Sequence, residues 1–147
     1  MMTIHTLSRS LLLCLALTLS VYSQAKSLES QDQADKVSDF FMSQVLSGDV
    51  SSAYALIAAY LGVDAASFEE QGKKAELSLK QLNDNLGKPL SSAVLKKQSV
   101  GEHFYKITYL LKYESAALVW ELNYYQPQQG WKLVDISFNT DINSLFK

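Results

Sequence analysis

Cysteine is almost absent from this chain of 147 residues, and its single cysteine, Cys14, lies in an apolar run near the amino terminus. If residues 1–25 are removed as a leader, the remaining chain has no thiol. Its sequence then excludes a disulfide framework, a thiolate nucleophile and a cysteine-ligated metal. Stability does not require such cross-links, because a chain of about 120 residues buries enough surface to fold without them.

Histidine is nearly as scarce, and His103 is the one histidine after the leader. A zinc or iron site would therefore depend mainly on carboxylates, and the acidic residues lack the spacing of a calcium-binding loop. No serine lies in the strand–turn–helix motif G-x-S-x-G that presents a nucleophile. The sequence thus predicts no metal, no cofactor and no catalytic residue, and we expect His103 to lie at the surface.

Arginine occurs once, at Arg9, so the chain from residue 26 onward carries 12 lysines against 15 acidic residues, a formal charge of −3. Its lysines are scattered, and the adjacent pairs are Lys73-Lys74 and Lys96-Lys97. Nucleic-acid binding needs a clustered cationic face that displaces counterions from phosphates. The charge pattern therefore excludes nucleic acid as a partner.

Residues 1–25 have the pattern of a secretory signal peptide. Arg9 precedes eleven uncharged, mostly apolar residues at 11–21, and the small residues Ser23 and Ala25 follow. The apolar run is shorter than the roughly 20 residues that a bilayer-spanning helix requires. We predict cleavage after Ala25, export to the periplasm or the medium, and no membrane insertion afterwards. A buried core helix and an uncleaved anchor are the alternatives.

Residues 26–147 are predicted to form a single α+β domain whose first half is helical. Apolar residues recur there at steps of three and four, which predicts helices over residues 28–47, 49–62 and 67–87. Ser67 and Glu70 are expected to form a capping box at the start of the third helix. In the first helix the apolar face carries Ala34, Val37, Phe41 and Val45, and the opposite side carries Asp32, Asp35, Lys36 and Asp39.

After Pro89 the hydrophobic period changes from 3.6 to 2, which indicates β-strands. We predict strands over residues 93–100, 103–113, 116–126 and 131–139, and a short helical tail at 141–146. If Glu114-Ser115 is a two-residue loop, Tyr109 faces Trp120. A three-residue loop ending at Gly130 then sets Leu122 opposite Ile136.

This register gives the sheet one apolar and aromatic face, which must pack on the helices. That inner face is either a filled core or the lining of a pocket for an apolar or aromatic small molecule. Its candidate pocket residues are Tyr105, Tyr109, Tyr113, Trp120 and Tyr124.

The opposite, outer face mixes apolar and charged residues, and its charged and polar members include Lys106, Glu121 and Asp135. A face of this kind is typical of an interaction surface, and we predict a homodimer through it. A tail at residues 142–146 that folds back over the face is the alternative. The candidate interface residues are Phe104, Tyr125, Trp131 and Leu133.

Three stretches carry a family resemblance: AYALIAAYLG at residues 53–62, FYKITYLLKYESAALVWELNYY at 104–125 and GWKLVDISF at 130–138. In this order of helices and strands the chain resembles the nuclear-transport-factor-2-like group, and within it the small exported bacterial members without an assigned function. The resemblance implies a curved sheet that wraps around its helices as a cone. It also implies a small-ligand site in the cone for many members, enzymatic activity for several, and pairing through the outer sheet face.

The favoured interpretation is an exported, non-catalytic binding or interaction module that forms a homodimer. The alternative is a cone-fold enzyme that uses acid–base chemistry on a hydrophobic small molecule. Enzymes of this fold set an Asp or Glu base near a tyrosine, and here the strand carboxylates Glu121 and Asp135 are expected to point outward. A macromolecular inhibitor or chaperone-like factor is a third possibility.

Overall fold

The computed structural model describes residues 26–146, so the leader and its cleavage site lie outside the described residues. The helices are α1 (Gln31–Ser47), α2 (Val50–Ile57) and α3 (Ala65–Leu86), with short 3₁₀ helices η1 (Ala58–Tyr60) and η2 (Ile142–Phe146). The strands are β1 (Ser91–Val100), β2 (Phe104–Lys112), β3 (Ala117–Tyr125) and β4 (Lys132–Asn139). The predicted α+β class is confirmed. None of the helices described is long and apolar enough to cross a membrane.

The first helix begins three residues later than the sequence pattern suggests. Ser30 is its N-cap, and the Ser30 hydroxyl accepts a hydrogen bond from the Gln33 amide at 3.3 Å. Leu28 lies outside the helix in extended backbone and pairs antiparallel with Trp131 through two backbone hydrogen bonds. The helix ends at Gly48, whose φ of 88° favours glycine.

The predicted capping box of the third helix is wrong. The N-cap is Asp64, whose carboxylate accepts a hydrogen bond from the Ser67 amide at 2.8 Å, so the helix starts at Ala65. Glu70 instead forms a surface ion pair with Lys74. The Asp64 carboxylate, one turn before Glu70 would act, accepts from a free amide of the first turn, so the helix begins before the predicted capping box.

The strands form one antiparallel sheet in the order β1-β2-β3-β4, the predicted meander. The predicted register between β2 and β3 is confirmed: Tyr109 faces Trp120. At the next ladder Leu122 faces Ile136, also as predicted. The inner face packs on the helices and forms the hydrophobic core with them.

A bulge between Asn123 and Tyr124 changes the register for the rest of β4. Tyr124 pairs with Leu133 instead of Val134, so β4 carries one extra residue there. The predicted placement of Trp131 and Leu133 on the outer face is therefore wrong: both turn inward and are 5% and 0% exposed. Burial of an apolar side chain of this size stabilises the fold by about 1.5–3 kcal/mol, which favours the bulged register.

The two edges of the sheet differ. At β4, Leu61 forms a parallel bridge with Leu133, and the Gly62 amide donates to the Leu133 carbonyl at 2.7 Å. At the opposite edge of the sheet, the side of β1 that faces away from β2 pairs with no described strand. That edge carries a bulge and the consecutive Lys96 and Lys97, both of which disfavour pairing with another strand.

Candidate functional site

Three tyrosines spaced by four residues, two in β2 and one directly after it, point to the helices, as predicted. The Tyr105 hydroxyl donates to Asp35 Oδ1 at 2.5 Å, and the Tyr109 hydroxyl donates to Asp39 Oδ1 at 2.7 Å. Just after the end of β2, the Tyr113 hydroxyl donates to the side-chain oxygen of Asn83 on α3 at 2.7 Å. The ladder of phenols thus ties the sheet to two helices.

The acceptors of this ladder were not expected from the sequence. Asp35 and Asp39 fall on the side of α1 that the helical period assigns to solvent. Both are near the rim, where the tyrosine hydroxyls emerge from the core. Asp35 also accepts from Lys97 Nζ at 2.6 Å, so one carboxylate joins α1 to β1 and β2. The signal that could have found them is their spacing of four on the helix, beside tyrosines spaced by four on the strand.

The centre of the inner face is filled by protein. The Tyr124 hydroxyl lies 2.7 Å from Ser38 Oγ and 3.5 Å from a backbone carbonyl of α1. Trp120 packs between Phe41 and Phe138, with ring centroids 5.7 and 4.6 Å apart, and its indole nitrogen has no partner among the described residues. All five predicted pocket residues belong to the core cluster.

Burial keeps these phenols neutral. It raises the pKa of Tyr109 well above the usual value, and the hydrogen bond to Asp39 adds to the rise. The pKa of Tyr105 is raised by burial and then by Asp35, and that of Tyr124 by burial. A phenol has one proton, and Tyr105, Tyr109 and Tyr113 each give theirs to a protein acceptor. In this arrangement none of the three is free to donate to a substrate oxygen.

The outer face carries an exposed aromatic pair at one end of the sheet. Phe104 and Tyr125 stack with ring centroids 5.0 Å apart and are 50% and 36% exposed. Val100, the register partner of Phe104, is also exposed. We call Val100, Phe104 and Tyr125 the outer patch. Two of the four predicted interface residues thus lie where the sequence placed them.

Polar pairs occupy the middle of the same face. Lys106 Nζ lies 3.0 Å from Glu121 Oε1, and the Asn123 amide donates to Asp135 Oδ2 at 3.1 Å. Both carboxylates point outward, as expected. Near the other end, the tail η2 packs against β3, and Val119 on the outer face of that strand is 1% exposed. The tail therefore shields that end of the face and leaves the outer patch open.

Several clefts lie away from the centre of the inner face. A groove of about 410 Å³ between α2 and α3 is lined by the aromatic rings of Tyr54 and Phe68, by small residues, and by the charged residues Glu69 and Lys73. Tyr113 borders a cleft of about 200 Å³ beside α3. The other predicted pocket residues line none of these clefts. Within residues 26–146 no cluster of histidine and acidic side chains is arranged to hold a metal ion.

Comparison of the chain with protein-family models, with curated proteins and with solved structures finds no match. The interpretation of the surfaces described above therefore depends on their own geometry.

Proposed function

We propose that this chain is an exported, non-catalytic binding and interaction module that pairs with a second copy of itself through the outer face of the sheet. The observation that carries the proposal is the stacked Phe104–Tyr125 pair, exposed on a sheet face beside Val100. Contiguous exposed apolar surface of this kind marks interaction sites more often than free surface.

The charges on the face favour a second copy as the partner. Lys106 and Glu121 lie side by side near its centre, with the Asp135 carboxylate on the next strand. A face that carries both signs is complementary to itself when two copies meet around a two-fold axis. A partner of strongly acidic or basic character would instead require an excess of one sign.

The fold that we propose for this module is nuclear-transport-factor-2-like. Three helices on one face of a four-stranded antiparallel meander support it. The bulges in the β1–β2 and β3–β4 ladders support it as well, because bulges bend strands and a cone needs a bent sheet.

The dimer is tested by placing a charge on the outer patch. Phe104→Glu should give a folded monomer in sedimentation velocity at high micromolar concentration, while the wild type sediments as a dimer. Phe40→Glu is a matched control, because Phe40 is also 50% exposed but lies on α1. A wild type that is monomeric at this concentration, or a Phe40→Glu monomer, would contradict pairing through the outer face.

An apolar or aromatic small molecule, the ligand class that the sequence suggests, has a better site in the α2–α3 groove than inside the cone. The groove is within the volume range of small-molecule sites. Because Gly72 has no side chain, α3 can pack directly against the Tyr54 ring. A Cβ at this position would lie 2.9 Å from that ring. The groove opens beside this contact, where alanines line it.

The acid–base enzyme remains the second candidate, and one contact favours it: a carboxylate, Asp39, beside a phenol, Tyr109. In such an enzyme the phenol would donate to the substrate and the carboxylate would take up a proton. Here the two groups are bonded to each other, which favours a structural role. The stability of an Asp39→Ala variant tests that role.

A further inference from the structure

A further cleft, of about 420 Å³, lies where two chain reversals of the sheet meet the start of α1. One reversal joins β1 to β2 and the other joins β3 to β4. The backbone amide of Gln126 donates to the His103 carbonyl at 2.8 Å, and this hydrogen bond joins the two reversals. The lining residues are Gln31, Gly101, Glu102, His103, Gln126, Pro127, Gln128 and Trp131.

Trp131 forms the buried wall of this cleft. Its backbone is fixed by two hydrogen bonds to Leu28, of 2.7 and 2.9 Å, and its ring packs edge-on against Tyr105. The side chain is almost wholly buried, yet its indole nitrogen makes no hydrogen bond to a described residue. Trp131 is the single buried residue of the lining, and the other lining residues are at least partly exposed.

The other polar groups of the cleft supply both donors and acceptors. The side-chain amides of Gln126 and Gln128, the carboxylate of Glu102 and the imidazole of His103 make no hydrogen bonds within residues 26–146. Gln31 uses its amide nitrogen to bind Ser99 Oγ at 3.2 Å, which leaves its carbonyl oxygen. Hydrogen-bond donors and acceptors thus line the same cleft.

The chemistry of this lining excludes several ligand classes. No lysine is among the lining residues, so the cleft has no cation to hold a phosphate or a carboxylate. Polar side chains predominate, so an acyl chain or an aromatic hydrocarbon finds little apolar surface. Pro127 and Trp131 alone offer apolar faces.

The walls are held by the fold. Gly101 and Gly130 adopt positive φ angles of 56° and 77°, which side chains rarely tolerate. Any Cβ at Gly130 would lie 2.5 Å from Ser27 Oγ, so the segment before α1 presses directly against this loop. The site is thus braced on one side by residues 27–28.

We infer that this cleft binds a neutral saccharide. A pyranose ring presents hydroxyls that both donate and accept hydrogen bonds, and it has a C–H face suited to proline and the edge of an indole. Its hydroxyls match the side-chain amides of Gln126 and Gln128 and the free carbonyl oxygen of Gln31. The inference does not rest on the dimer, but the cleft adjoins the outer patch, since Phe104 follows His103 and Tyr125 precedes Gln126 in the chain.

The test uses the indole N–H signals of the chain's two tryptophans, Trp120 and Trp131, in ¹H–¹⁵N NMR spectra. Trp131→Phe assigns them by removing one signal. The probes are maltotriose, cellotriose and tri-N-acetylchitotriose at millimolar concentration. We expect at least one of them to shift the Trp131 signal in a saturable manner and to leave the Trp120 signal in place.

Two variants locate the site. Gln126→Ala combined with Gln128→Ala should weaken binding of the active probe at least tenfold, whereas Gln98→Ala, an exposed glutamine of β1, should leave it unchanged. The inference is overturned if none of the three probes moves the Trp131 signal. It is also overturned if the double variant binds as tightly as the wild type, since the ligand then lies elsewhere.

Discussion

Tyr109 of β2 donates its hydroxyl proton to Asp39 of α1 at 2.7 Å, and the two residues are 70 positions apart in the chain. One turn earlier on the helix, Tyr105 makes the same contact with Asp35. These bonds join the helical half of the chain to the strand half at the rim of the core. They fix the packing of α1 on the inner face of the sheet.

Removal of the Asp39 carboxylate should destabilise the fold. Asp39→Ala leaves the Tyr109 hydroxyl without its acceptor in a largely buried position, which should lower the free energy of unfolding by about 1–3 kcal/mol. Urea denaturation followed by circular dichroism measures the change. Asp32→Ala is the control, because Asp32 is paired with Lys36 on the exposed side of the same helix and should leave the midpoint unchanged. Equal midpoints for the two variants would refute the structural role of the pair.

Stability should fall at alkaline pH because of the buried phenols. Burial holds the pKa of Tyr105, Tyr109 and Tyr124 above that of an unfolded tyrosine, so the unfolded state releases these protons first. The free energy of unfolding should be insensitive to these groups below a pH of about 10 and decrease as the pH rises beyond it. Urea midpoints measured across this range test the sign, and Tyr109→Phe should show a shallower decrease. A midpoint that stays constant above this pH, or rises, would contradict the assignment.

Charge at Trp131 should unfold the protein instead of dissociating a dimer. Trp131 is buried against Tyr105 and Leu28, so Trp131→Glu loses this packing and buries a carboxylate, a change expected to exceed about 4 kcal/mol. Thermal unfolding by circular dichroism should show no cooperative transition for Trp131→Glu, whereas Phe104→Glu keeps one near that of the wild type. A folded Trp131→Glu variant would mean that β4 follows the unbulged register.

The protein recovered from an exported fraction should have the mass of a chain that begins at Lys26. In the fold the Lys26 backbone nitrogen donates to the Ala59 carbonyl at 2.9 Å, an interaction that a new terminal amine can also make. Native mass spectrometry reports the start of the chain, the assembly and any bound small molecule together. A mass that retains residues 1–25 would contradict cleavage.

A co-purifying apolar molecule should bind in the α2–α3 groove. Ala55→Phe fills that groove and should remove the adduct from the native mass spectrum, whereas Ala66→Phe, an exposed position outside the groove lining, should not. An adduct that survives Ala55→Phe would place the molecule at another site.

Local patterns in the sequence determined much of this architecture. The steps of three and four placed the helices, and the alternation after Pro89 placed the strands and their two faces. The short loop at Glu114-Ser115 set Tyr109 against Trp120, because a tight turn leaves one register that keeps the apolar residues on one side. The outward carboxylates and the exposed Phe104–Tyr125 pair followed from the same register.

Tertiary structure decided what depends on contacts between distant segments. The bulge after Asn123 arose because burial of Trp131 and Leu133 outweighs an unbroken ladder, and no local signal marks it. Leu28 left the helical pattern to pair with Trp131. Asp35 and Asp39 bond to tyrosines because the packing of α1 on the sheet brings them to the rim. Periodicity assigns a side chain to a face, but the distance to the neighbouring element determines what that side chain touches.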